Sequence, residues 1–171
     1  MLGGLWELYG GVLAQGHHSG ITFRRLPSTY RSIEPAEWSI DDISHPLRDF
    51  GMDPAQDLLV LVESPRWLAS PQSFYMVTLN KFLHFLIFRS GSSPDHSYRF
   101  HLRTMSTGGP HPKAPDPPVI SYPQLVQDAH VSYAIQISAQ HLGIFFNSHE
   151  HQENELTVWE WTSGIIETVS I

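Results

Sequence analysis

Short runs of apolar residues, punctuated by glycine and proline, follow one another along the whole 171-residue chain. That pattern predicts many short strands joined by turns, not long helices. Leu5-Trp6-Glu7-Leu8-Tyr9, then Gly10-Gly11, then Val12-Leu13-Ala14 predicts a hairpin around a Gly-Gly turn. Residues 21–26 alternate weakly and stop at Pro27. Leu58-Leu59-Val60-Leu61-Val62 is a continuous branched run of strand length, preceded by the turn Asp53-Pro54-Ala55-Gln56-Asp57. Such a run suits a strand buried on both faces. Ser132-Tyr133-Ala134-Ile135-Gln136-Ile137 alternates cleanly; Leu142-Gly143-Ile144-Phe145-Phe146 and a last run over residues 165–171 follow. The Pro-rich stretch 110–118 is too rigid and donor-poor for a central strand.

Two stretches share one template, an alternating strand that ends in a hydroxyl-Gly turn. They are Phe100-His101-Leu102-Arg103-Thr104-Met105-Ser106-Thr107-Gly108 and Leu156-Thr157-Val158-Trp159-Glu160-Trp161-Thr162-Ser163-Gly164, offset by 56 residues (156 − 100). A repeated strand-and-turn unit is the mark of a propeller or array. Upstream, Gln56-Asp57-Leu58-Leu59-Val60 matches Gln140-His141-Leu142-Gly143-Ile144 at an offset of 84 (140 − 56), so the first copy carries 28 extra residues (84 − 56). These fall within residues 64–93, read as an insertion or as non-coding sequence read through. Residues 74–88 inside it suit a helix on propensity, and this run is short of the ~20 residues of a bilayer span. The expectation is one all-β domain over residues 1–171. It is a partial, irregular β-propeller of antiparallel blades, two units being clear and a third running from Leu5 to Leu26.

Trp159 and Trp161 fall on one face of their strand, because side chains alternate with period two. Packing between neighbouring units is the reading favoured for them over an exposed anchor for a partner. Asp49, in the triplet Asp49-Phe50-Gly51, reads as a turn residue before a strand; the other parts of a kinase site are missing from the sequence.

Net charge is −7, with 10 basic against 17 acidic residues and no basic run, which opposes a nucleic-acid or anionic-membrane partner. The absence of cysteine excludes disulfides, thiolate metal sites and a Cys nucleophile, and favours a reducing compartment, the cytoplasm or nucleus. The N-terminus lacks the basic n-region of a signal peptide. No Gly-x-Ser-x-Gly elbow or phosphate-cradling loop occurs, so neither an enzyme nor a cofactor is expected. His149-Glu150-His151 places two imidazoles on one side of an extended segment, with His141 as a neighbour, and is the candidate for a metal. A solvated polar hairpin loop over residues 147–154 is the simpler reading.

The segment Asp49-Phe50-Gly51-Met52-Asp53-Pro54-Ala55-Gln56-Asp57-Leu58-Leu59-Val60-Leu61-Val62-Glu63 resembles one in fungal F-box proteins. So do Tyr98-Arg99-Phe100-His101-Leu102-Arg103-Thr104-Met105-Ser106-Thr107-Gly108 and His111-Pro112. The resemblance covers residues 1–63 and 96–171. It implies a WD40-like propeller region and a substrate-receptor role in a cullin-based ubiquitin ligase, where an F-box binds a Skp1-type adaptor. No Leu-Pro-x-E helix-rich segment stands near Met1, so the adaptor is expected only if an F-box precedes this region. The chain therefore reads as a protein–protein interaction module, either a receptor half or a free-standing WD40-like scaffold. Binding is expected at loops on one rim, with Trp38, Trp67, Arg103 and His149 as candidate contributors.

Overall fold

The computed structural model describes residues 4–17, 19–63, 97–123, 131–148 and 154–170; residues 64–93, expected to be an insertion, with Trp67, and the segment His149-Glu150-His151 lie outside them. Twelve strands are described, and no helix occurs among these residues: β1 (Trp6–Tyr9), β2 (Val12–His17), β3 (Gly20–Arg25), β4 (Ala36–Asp41), β5 (Leu47–Asp53), β6 (Leu58–Glu63), β7 (Ser97–Thr104), β8 (Val119–Pro123), β9 (Val131–Ser138), β10 (His141–Ser148), β11 (Asn154–Glu160) and β12 (Ile165–Ser170). They form three antiparallel four-stranded sheets, each made of four consecutive strands, β1 to β4, β5 to β8 and β9 to β12. The first strands of the sheets are neighbours, β1 touching β5 and β5 touching β9.

The middle sheet is packed on both faces. On β6 the side chains of Leu58, Val60 and Val62 point into an apolar layer shared with Leu142, Ile144 and Trp159 of the third sheet. Leu59 and Leu61 point the other way, against Val12, Ala14, Ile21 and Phe23 of the first sheet. Every residue of β6 is buried, as its unbroken branched run predicts. Trp159 and Trp161, each 1% exposed, are packing residues. Trp159 meets Phe100 at 5.6 Å and the edge of Tyr122 at 5.3 Å, and Trp161 meets the edge of His111 at 4.9 Å.

A shared hydrogen bond marks the repeat. The residue after the third strand of each sheet donates its N–H to the carbonyl just before the second strand. The pairs are Leu26 to Gly11 (2.8 Å), Met105 to Asp57 (3.0 Å) and Trp161 to Gln140 (2.9 Å). Side chains of the Asp53–Asp57 and Thr104–Gly108 stretches hold the middle sheet's turns together. Asp53 accepts the N–H of Ala55 (3.0 Å) and the Gln56 amide (2.7 Å), and the same amide reaches the Ala139 carbonyl of the third sheet (2.8 Å). Asp57 accepts from the N–H and hydroxyl of Ser106 (2.8 and 2.6 Å). Thr104 and Thr107 share a 2.6 Å hydroxyl bond where the chain turns at Gly108.

The structure corrects four sequence expectations. The first sheet does not stop at Leu26 but continues through β4 to Asp41, and β5 and β8 were not foreseen. Asp49 lies inside β5, at a register shift between Leu47 and Asp49, and not in a turn before a strand. The polar loop expected over residues 147–154 is shorter, because Asn147 and Ser148 belong to β10 and Asn154 to β11. The front-end offset is 83, not 84: Leu58 pairs with Thr104 and His141 with Glu160, so Leu58 and His141 are equivalent (141 − 58) once the 56-residue offset is applied to the third strands. The difference is small in residues but decides which face is which, since a one-residue slip inverts every side chain. With 83, Leu59 and Leu61 match Leu142 and Ile144, and both pairs face the preceding sheet.

Candidate binding cleft between the first and second sheets

Where β4 ends, the chain crosses over the middle sheet before entering β5. Asp42 takes a left-handed φ of 62° there, and Ile43 donates to the Ser19 carbonyl (3.3 Å). The crossing segment stands off from the sheet and leaves a cavity of about 120 Å³. Ile40 to Ser44 form one wall, Leu59 and Leu61 the floor, and Arg103, Thr107 and Gly108 the other wall. Arg103 is half-buried, and its guanidinium donates to the Gly108 carbonyl (3.1 Å). Trp38, two residues before Ile40 on β4, is also half-buried: the indole stacks on Phe23 (5.3 Å) and donates to the Met105 carbonyl (2.8 Å). Of the four residues expected to bind a partner, Arg103 lines the cleft, while Trp38 lies at the same sheet-to-sheet seam but outside the cleft lining. Trp67 and His149 lie outside the described residues.

Next to Leu61 of the cleft floor, starting on the neighbouring strand, lie titratable groups that the sequence did not flag. His101, paired across the ladder with Leu61, donates to the Glu63 carboxylate at 2.9 Å. The His45 ring lies on His101 face to face, with centroids 3.9 Å apart and planes 16° from parallel. Burial, aided by His101, lowers the pKa of His45 to about 4, and burial lowers that of His101 against the opposing pull of Glu63. Stacked rings do not aim their nitrogens at one point, so the pair is not a metal chelate. Among the described residues no group of three or more His, Asp or Glu is placed to hold a metal. The only sequence cue to His101 was that it stands in the repeated template where the other copy has Thr157.

A second titratable group lies along the line of first strands. Burial raises the pKa of Glu7 to about 7, against a hydrogen bond to the Met52 backbone and with a small push from Asp49. Asp49 is raised by burial too, while accepting the Phe50 N–H at 2.8 Å. Arg48 donates to the Val131 carbonyl (2.8 Å) and lies over Tyr133, 5.4 Å from the ring centre, tying the middle sheet to the third.

These groups give stability a pH dependence of two opposite signs. His45 is held neutral in the fold, so its contribution is complete above its ordinary 6.5 and is lost as the pH falls toward about 4. Glu7 holds its proton more tightly when folded, so its contribution is complete below 4.5 and is lost as the pH rises through about 7. His45→Phe keeps a ring on His101 and should flatten the acid limb of urea midpoint against pH; Glu7→Gln should flatten the neutral limb. An unchanged profile in either variant would contradict the corresponding assignment.

The cleft is smaller than the ~300–1,000 Å³ typical of small-molecule sites. It has an apolar floor, one guanidinium able to donate to a carboxylate or carbonyl, and two carboxylates, Asp41 and Asp42, at its wall. That chemistry suits a single side chain or carbonyl of a polypeptide. No protein-family model, curated protein or solved structure matches the chain.

Proposed function

We propose that the chain is a protein–protein interaction module, a run of three WD40-like propeller blades acting as the substrate-recognition part of an F-box-type receptor. The observation that carries this reading is the threefold repetition of one unit. Three consecutive four-stranded meanders share the same closing hydrogen bond, stack through apolar faces and bring their first strands together. Stacked meanders whose first strands line an axis are how propellers are built. Rigid strands of this kind hold loops in place for recognition while doing no chemistry themselves. The cleft beside Arg103 is the recognition point: its floor is apolar, its guanidinium has donors to spare, and its size fits one residue of a bound segment. A Skp1-type adaptor enters this picture only through an F-box preceding the region.

Selection of displayed peptides on the purified chain tests the proposal. Peptides with a carboxylate or carbonyl anchor should be enriched. Their affinity should fall at least tenfold in Arg103→Ala, the loss of a charged hydrogen bond of about 1.5–3 kcal/mol. Peptides that bind Arg103→Ala as well as wild type would remove the cleft from the site, and failure to select any would remove the recognition role.

A further inference from the structure

The sheet-to-sheet interface occurs twice in the described residues, and its two halves recur unpaired at the ends of the stack. Each sheet presents one face to the sheet before it and another to the sheet after it. The first sheet covers the middle one with Val12, Ala14, Ile21 and Phe23; the middle sheet covers the third with Leu58, Val60, Phe100 and Leu102. The equivalent forward face of the third sheet, with Gly143, Phe145, Leu156 and Val158, has no sheet on it among the described residues. Phe145 and Leu156 are 37% and 39% exposed there. The backward face of the first sheet is likewise uncovered, with Trp6 69% and Leu8 53% exposed.

Trp6 continues a series that runs through the two internal interfaces. The first hairpins close on Tyr9 and Val12, Asp53 and Leu58, and Ser138 and His141. Three residues before each closing pair stand Trp6, Phe50 and Ile135. Phe50 and Ile135 both plug the preceding sheet at a glycine. A Cβ on Gly16 would lie 3.5 Å from the Phe50 ring, and one on Gly51 only 2.5 Å from Ile135. Trp6 is the third member of this series, and among the described residues no sheet lies before it. On the open forward face the positions level with Gly16 and Gly51 are Phe145 and Gln136, and Gly143, level with Ala14 and Val60, leaves the space between Gln136 and Val158 unfilled: a Cβ there would meet nothing nearer than the Gln136 carbonyl, 3.8 Å away.

We propose that a second copy of this chain covers both faces, the Trp6 face of each copy stacking on the Gly143 face of the other. A head-to-tail contact of this kind closes when the rotation allows and runs on as a filament when it does not. Three sheets per chain make a two-fold ring of six, within the range of about four to eight blades seen in propellers. The inference rests on the blade reading above, and not on peptide recognition at Arg103, so either can fail alone.

Light scattering on the size-fractionated full chain reads the outcome. Wild type should have twice the 19.4 kDa chain mass. Trp6→Arg and Gly143→Glu should each raise the dissociation constant at least tenfold, with thermal melting of the dissociated chain showing that it remains folded. Mixing the two variants should restore a dimer, because one contact then pairs an intact Trp6 face with an intact Gly143 face. A monomeric wild type would overturn the proposal, as would an open ladder of larger species or a dimer indifferent to both substitutions. Failure of the mixed variants to pair would replace head-to-tail stacking with a face-to-like-face contact and overturn it too.

Discussion

Trp159→Ala should lower the free energy of unfolding by about 3–5 kcal/mol, the range for removing a fully buried aromatic ring. The ring is 1% exposed, faces the middle sheet, and lies within 6 Å of Phe100 and Tyr122, one from each of two neighbouring strands. Truncation would leave a void between two sheets that pack as rigid layers, and neither layer can collapse without breaking its own ladder. The comparison is Leu156→Ala, three residues away on the other face and 39% exposed, where a loss of no more than about 1 kcal/mol is expected in the isolated chain. Urea midpoints at constant slope would measure both. Because a domain has only about 5–15 kcal/mol in hand, the first substitution should shift the transition conspicuously and the second barely. Equal losses would mean that the inward and outward faces of β11 have been exchanged.

That assignment of faces shows what can be read from the chain and what cannot. The Gly10-Gly11 hairpin was legible because both glycines take positive φ, 56° and 78°, the conformation a two-residue turn asks for. Burial of β6 on both faces was legible because five branched residues in a row leave no polar side for water. β5 was hidden because Asp49, Gly51 and Asp53 interrupt its apolar residues. Its strand state comes from its neighbours: Gly51 is small where Ile135 presses on it, and Asp53 turns back to cap the residues that follow. Pairing of letters also misled the register. Gln56-Asp57-Leu58 looks like Gln140-His141-Leu142, yet the hairpin before β6 has four loop residues and that before β10 has two, and the hydrogen-bond ladder puts Leu58 level with His141.

The cleft was legible only in part. Arg103 and Trp38 could be singled out as an odd cation and a large aromatic. Their meeting at one seam depends on β4 folding onto the turn after β7, a contact between segments 67 residues apart in the case of Trp38 and Met105. His45 has no periodic signal at all, and only the crossing of residues 42–46 over the middle sheet brings it onto His101. Spacing along the chain cannot encode such a meeting; packing of one sheet on the next does.

Gly108→Ala should cost about 2–5 kcal/mol, as the sum of two effects that a matched site separates. Gly108 and Gly164 both have φ of 73°, at the same place in the repeated turn, and donate to Thr104 and Glu160 carbonyls at 2.9 and 2.8 Å. A side chain in that left-handed conformation costs about 1–2 kcal/mol at either site. The surroundings differ. A Cβ at Gly164 would find Pro115 at 3.6 Å and Ile120 at 3.9 Å, ordinary contacts, whereas at Gly108 it would lie 2.7 Å from one branch of Ile40 and 3.3 Å from the other. Relieving that clash means moving β4 off the turn, an overpacking cost of about 1–3 kcal/mol. Gly164→Ala should therefore show the backbone cost alone. In the double variant Gly108→Ala/Ile40→Ala the clash is gone, so the two losses should fall short of adding by about 1 kcal/mol or more, a coupling that urea unfolding of the four-member cycle resolves. Strict additivity would mean that Ile40 does not bear on the turn. Since Ile40 and Gly108 face each other across the cleft, Gly108→Ala alone should also spread its walls and weaken any peptide that reads Arg103.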